Sequence, residues 1–212
     1  TSGEILGQVL FFKSGLLPPR RRFNIVFMGM GEPLLNPRHL ASAIEILNAE
    51  EGFGLGEKRI TVSTIGIPER IRELAATNLR FSLAVSLNAT TDETRKRLMR
   101  AARDLDDTLE AARDFARSRR ERVTLEYVLI AGENDTDEDA RRLAEISAGT
   151  SFKLNLIPFN EWEGCAYRRP DERRIDSFIR LLLPTAPAVT VRRSQGGDIS
   201  AACGLLRSRR RP

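Results

Sequence analysis

Two kinds of hydrophobic pattern alternate along this chain. One is a short apolar run, and the other places apolar residues every three or four positions. "FNIVFMG" (23–29) is apolar almost throughout, as in a strand buried on both faces. "RITVSTIG" (59–66) is β-branched and stops at a glycine. "RFSLAVSLNA" (80–89), "RVTLEYVLI" (122–130), "FKLNLIPF" (152–159) and "AVTVRRS" (188–194) complete a set of six strand-like runs. Helical spacing fills the intervals. Asn36 can cap a helix with Pro37 at its first position, and Leu40, Ile44 and Leu47 form its apolar stripe. Pro68 opens the next helix, with Ile71 and Leu74 inward. "TTDETRKRLM" predicts a short helix, and Leu105, Leu109, Ala112 and Phe115 mark a longer one. "AGENDTDEDARRLAEI" reads as a turn and a capped helix. "DERRIDSFIRLLL" is a helix stopped by Pro184. Thr1 and Glu4 have capping-box spacing, so the chain opens on a helix start.

Repeated strand–helix units imply parallel strands joined by right-handed crossovers. No Ser/Gly linker or low-complexity block divides the chain, so residues 1–212 are expected to form a single α/β domain. A closed eight-unit barrel usually takes about 250 residues. The expectation is therefore an open parallel sheet with outer helices, a partial barrel.

Composition adds a positive surface. The net charge is +5, and only four of the 34 basic residues are lysine. Arginines cluster in "PPRRRF", which holds Arg20, Arg21 and Arg22, in "RSRRERV" (117–123), in "VRRSQ" and in the tail "RSRRRP". Such clusters suit a phosphate backbone, or else a solvated face on an arginine-rich protein. No run of 18 apolar residues exists, so no membrane-spanning helix is expected. The amino terminus lacks signal-peptide features, and two distant cysteines fit a reducing cytoplasm.

Parallel α/β folds collect ligands at the carboxyl ends of their strands. After the first run comes "GMGEP", where Gly29 and Gly31 let a ligand touch backbone and Glu32 offers a carboxylate to an ammonium group. Ser63 and Thr64 end the second run, Ser86 and Asn88 end the third, and Asn160 follows the fifth. This rim of small polar groups with one acid suits a zwitterionic, sugar-bearing ligand. A phosphate fits less well, because no lysine-bearing P-loop is present. Each element also has a plain structural reading, as a tight turn or a helix cap.

Other chemistries fare worse. His39 is the lone histidine and lies in a helix, which suits packing or surface and leaves no Ser-His-Asp triad. A zinc site lacks ligands. Met28 and Met30 suit packing. Trp162 and Tyr167, beside Arg168 and Arg169, either stack on a base or pin a loop, and the loop is favoured. Cys165 has no adjacent base. Cys203, between Ala202 and Gly204, is by composition alone a small core filler.

Taken in order, "FMGMGEPLLN", "ITVSTIGI", "LAVSLNA", "VTLEYVLI", "NLIPFN" and "DISAACG" resemble the radical S-adenosylmethionine RNA methyltransferases of the RlmN/Cfr class, across nearly the whole chain. The resemblance implies a partial (βα)6 radical-SAM-type barrel, here lacking the first strand. It implies methylation of C2 or C8 of an adenine in 23S rRNA, with a tRNA adenine as a further substrate. By matching motifs, Gly31, Glu32, Ser63, Ser86, Leu87, Asn88 and Asn160 would bind S-adenosylmethionine, with Glu32 near its amino group. Cys203 would be the methyl-carrying cysteine, a role that needs a nucleophilic thiolate. The family generates a 5′-deoxyadenosyl radical at a [4Fe-4S] cluster fed by an electron donor. That radical activates the S-methyl group for addition to the base.

The family's C-x-x-x-C-x-x-C cluster motif, its resolving cysteine and its amino-terminal RNA-binding domain have no counterpart in this sequence. The chain therefore reads as an incomplete catalytic domain with no metal ligands of its own, inactive alone. The full-length enzyme would be a cytoplasmic monomer. Asn88 stands where the family usually has histidine, Ala102 replaces an asparagine, Gly197 and Ser200 replace aspartates, and Leu205 replaces glutamine. The rival readings are a C8-specific relative, a radical enzyme acting on a small molecule, and a non-catalytic RNA-binding module.

Overall fold

The structure, a computed structural model, describes residues 1–15, 22–28, 31–162, 164–186 and 188–192. Among them six strands form one all-parallel sheet in the order β1-β2-β3-β4-β5-β6. These are β1 Ile25–Phe27, β2 Ile60–Thr64, β3 Ser82–Ser86, β4 Val123–Leu129, β5 Phe152–Pro158 and β6 Val189–Val191. The described helices are α1 Ser2–Gly15, α2 Pro37–Asn48, α3 Pro68–Ala75, α4 Asp92–Leu98, α5 Leu105–Arg119, α6 Asp137–Ser147 and α7 Glu172–Leu182. Every predicted strand and helix is present. Sequential order with parallel pairing is the open partial barrel expected from the repeated units.

The helices begin where capping chemistry allows. Thr136 caps α6 in a full capping box with Asp139, and Asp104 and Asp171 cap α5 and α7 through their side chains. Asn36 occupies the cap position of α2, but its side chain makes no capping bond there. The neighbouring turn is capped instead by Glu32, whose side chain accepts from the Leu34 N–H.

Register sorts the sheet into two unlike faces. Alternate residues point to opposite sides. Val62, Leu83, Val85, Leu125, Tyr127, Leu154 and Leu156 lie on the side under the helices and are buried. They pack with Ile44, Ile71, Leu109, Phe115, Leu143 and Phe178 into one core. The opposite face carries Thr61, Ser63, Ser82, Ala84, Ser86, Thr124, Glu126, Lys153, Asn155 and Thr190, aligned in register from β2 to β6. It is the inner, concave side of the open barrel.

One strand departs from expectation. The apolar run at β1 predicts burial on both faces, yet β1 is the edge strand and Val26 is 47% exposed. A run of apolar residues specifies a strand but not its neighbours. β1 has a partner only in β2 among the described residues, so its inward residue lies open.

Candidate functional site

The carboxyl ends of β1, β2, β3 and β4 are tied together by side chains. The loop after β1 delivers Glu32. Its carboxylate accepts the Leu34 N–H at 3.0 Å and the Ile65 N–H at 2.8 Å, joining that loop to the end of β2. Among the described residues a Cβ at Gly31 would meet nothing within 4 Å, so the backbone beside Glu32 is uncrowded there. Gly29 lies outside the described residues. Just past β2, Gly66 has φ +89, and a Cβ there would stand 2.4 Å from Thr108 Cγ2. The glycine that ends "STIG" is therefore required by both backbone and neighbour.

Ser63 ends its strand facing inward, and its hydroxyl donates to Glu126 Oε2 at 2.8 Å. Glu126 is on β4, so the bond crosses β3 diagonally, where Ala84 is level with Ser63. Ser86 is half-buried on the same face, level with Glu126. At the turn after β3, the Glu126 carbonyl accepts from the Leu87 N–H at 2.9 Å and from the Asn88 N–H at 3.3 Å.

Asn88 sits in the left-handed region, φ 57, which asparagine tolerates better than most residues. Its side chain is committed within the protein. The carbonyl accepts from the Val128 N–H at 2.9 Å, and the amide reaches Met99 Sδ at 3.2 Å. The Asn134 side-chain amide donates to the Asn88 backbone carbonyl at 2.8 Å. Asn160 is half-buried just beyond β5. Glu32, Ser63, Ser86, Leu87 and Asn88 therefore converge on one end of the sheet, and Asn160 lies at the same end on the far side of β4.

Two groups at this end carried no signal in the sequence. Glu126 is the first, because its bond to Ser63 depends on a register two strands away. Arg95 is the second. Within "DETRKRL" it reads as one more solvated charge, yet it is fully buried. Its guanidinium donates to Leu87 O at 3.3 Å, to Ile65 O at 2.6 Å and to Arg103 O. Burial lowers its pKa from the ordinary arginine value, with Asp92 and Asp104 opposing the shift. Arg95 thereby clamps the loops after β2 and β3 from behind.

The remaining candidates fall into place. Phe159 packs on Trp162 and Tyr167, with ring centroids 5.2 and 6.1 Å apart, so these aromatics pin the loop after β5. His39 is half-buried in α2. Within the 117–123 arginine cluster, Arg119 donates to Thr77 O and Leu79 O and lies over Phe81 and Phe115. That arginine is part of the fold, at the end of the sheet opposite the site. Arg20, Arg21, Cys203 and the basic tail lie outside the described residues. A cavity of ≈ 640 Å³ opens between α1 and β1, walled by Phe12, Phe23, Val26 and Met28, and reaches Gly31 and Glu32.

An all-parallel sheet with a small-residue polar rim at the carboxyl ends of its strands has the usual placement of a ligand site in α/β enzymes. A profile of the Radical SAM superfamily matches residues 16–144, and the chain belongs to that superfamily. Within it, the chain is 44% identical over 211 residues to the dual-specificity RNA methyltransferase RlmN of Geotalea uraniireducens, covering 99% of this chain and 60% of that protein. It is 43% identical over 212 residues to RlmN of Campylobacter jejuni, again over 99% of this chain and 60% of the relative. The crystal structure of a radical SAM methyltransferase from Sphaerobacter thermophilus superposes with a TM-score of 0.88 at 40% identity. That match covers 97% of this chain and 61% of that one. The resemblance to the RlmN/Cfr class read from the motifs is borne out. The chain spans about three-fifths of the length of the relatives it matches.

The family's cofactors are S-adenosylmethionine and a [4Fe-4S] cluster. The rim fits the first: a carboxylate, strand-end hydroxyls and open space beside Gly31 among the described residues suit a cationic, sugar-bearing molecule. The residues present do not fit the second. Two cysteines cannot supply three thiolates, and among the described residues no three His, Cys, Asp or Glu side chains are grouped to hold a metal.

Proposed function

We propose that this chain is the carboxy-terminal part of the catalytic domain of an RNA methyltransferase. The enzyme would methylate C2 of an adenine in 23S rRNA, and of a tRNA adenine, by way of a methylated Cys203. Gly31, Glu32, Ser63, Ser86, Leu87, Asn88 and Asn160 would hold S-adenosylmethionine, which supplies the methyl group. The observation that carries the reading is the convergence of Glu32, Ser63 and Ser86 at one end of the sheet.

Glu32, already oriented by two backbone N–H groups, keeps lone pairs for a ligand ammonium. The Leu87 and Asn88 backbone, fixed by the Glu126 carbonyl, borders the ligand, while the Asn88 side chain holds its own turn. Cys203 would carry the methyl group on its sulfur, where a thiolate is required. Thiolates for the cluster would come from outside this chain, and the 212 residues alone would be inactive. The whole enzyme would act as a cytoplasmic monomer supplied by an electron donor.

The test uses the full-length protein that carries this chain, reconstituted with iron and sulfide and given unmodified ribosomal RNA. Mass spectrometry of the nucleosides should show 2-methyladenosine, and Cys203→Ala should remove it. The 8-methyl isomer would replace the C2 assignment with the C8-specific reading. Salt-dependent RNA binding without any product would leave an RNA-binding module. Iron–sulfur absorbance with cofactor cleavage in the 212-residue chain would overturn the expected inactivity.

A further inference from the structure

Ser63 and Glu126 form a pair whose chemistry is directional. A serine hydroxyl has one proton and two lone pairs, and a carboxylate only accepts. The Ser63 proton goes to Glu126 Oε2 at 2.8 Å. What Ser63 can still offer a ligand is therefore a lone pair. Ser63 faces the inner side of the sheet and is nearly buried, with 7% of its surface exposed. Glu126 is itself held: its backbone is in the β4 ladder, and its carbonyl takes the N–H groups of Leu87 and Asn88. One residue thus fixes the hydroxyl at the end of β2 and the backbone at the end of β3.

We infer that Glu126 is a positioning residue for the cofactor: by holding the Ser63 proton it makes Ser63 an acceptor, which meets a donor group of the ligand and not its carboxylate. This rests on the reading of the rim as an S-adenosylmethionine site. It assigns Ser63 a direction that the rim alone leaves open. Glu126→Gln keeps the shape and the backbone bonds. It also adds an amide N–H that competes for the Ser63 oxygen, so the hydroxyl proton is no longer committed.

The experiment is calorimetric titration of the full-length, cluster-loaded protein with S-adenosylmethionine and with its decarboxylated analogue, in four forms: wild type, Ser63→Ala, Glu126→Gln and the double variant. Melting temperatures are measured alongside, and the isosteric Glu126→Gln is expected to keep the wild-type value to within a few degrees. Each single variant should raise Kd for S-adenosylmethionine about tenfold, the size of one hydrogen bond. The double variant should be within about twofold of Ser63→Ala, because Glu126 acts through the serine. The Ser63→Ala loss should persist on the decarboxylated analogue. Additive losses, near a hundredfold in the double variant, would overturn the inference, since independent effects multiply to about that product. So would a Ser63→Ala loss that disappears when the ligand carboxylate is removed. Wild-type protein that binds no S-adenosylmethionine would overturn the cofactor reading and the inference with it.

Discussion

The two faces of the sheet are made from the same strands, yet they are built on opposite rules. Under the helices, Val62, Val85, Leu125 and Leu154 are apolar and fully buried, and any large residue of suitable shape would serve. On the inner face, Ser63, Ser86, Glu126 and Asn155 are small or polar, and what matters is which atom reaches which. The first face is held by area removed from water. The second is held by a few directed bonds, such as Ser63 to Glu126 and Thr190 to Asn155. Alternation along a strand lets one backbone serve both, because each step of one residue changes the rule. Apolar packing and directed bonding are thereby separated at the level of single residues.

That separation can be broken most forcefully from the covered side. Phe152→Ala should cost about 4 kcal/mol in urea denaturation, the usual range for emptying an aromatic core site. Arg95→Met comes next. It leaves the carbonyls of Ile65, Leu87 and Arg103 without their buried donor, and should cost about 3 kcal/mol. It should also weaken cofactor binding, because both strand-end loops lose their clamp. Ser86→Ala on the inner face should change stability by less than about 0.5 kcal/mol, while calorimetry registers a clear loss of S-adenosylmethionine affinity. If Ser86→Ala destabilises as much as a core substitution, the two faces are not separate in the way described.

The smallest effect lies away from both faces. Burial, and then the hydrogen bond and charge of Glu57, push the Glu121 carboxyl up to about 7. A raised folded-state pKa favours the protonated form. Its contribution to stability is complete below the unfolded value of 4.5 and is lost as pH rises through about 7. The melting temperature should therefore be slightly lower at about pH 8 than at about pH 6, and Glu121→Gln should reduce the difference.

Periodicity identified the strands and most helices because the two sort residues by different spacings, and "RVTLEYVLI" or Leu105–Leu109–Ala112–Phe115 leave little choice, whereas α1 was legible from its capping spacing alone. The strand-end rule located Glu32, Ser63 and Ser86, since ends are visible once strands are. Long-range pairing was not legible. The role of Glu126 depends on β3 being flanked by β2 and β4 at one register, and that of Arg95 on three carbonyls from separate loops. The exposure of β1 was also hidden, because an edge strand and a central one can carry the same apolar run. Cys203 was identified only through the family motif, and it lies outside the described residues.

The strictly sequential strand order has a consequence for how the chain acquires its shape. Each described strand pairs with the described strand that follows it in the sequence. Each pairing still closes a whole helical crossover, as between Ile25 and Ile60 or Ala84 and Thr124, so parallel strands of this kind form more slowly than hairpins. On the ribosome, the sheet could lengthen one strand at a time as each unit emerges, with every intermediate presenting a single growing edge. The same rule applies in evolution: a unit gained or lost at either margin leaves the pairing of every inner strand unchanged.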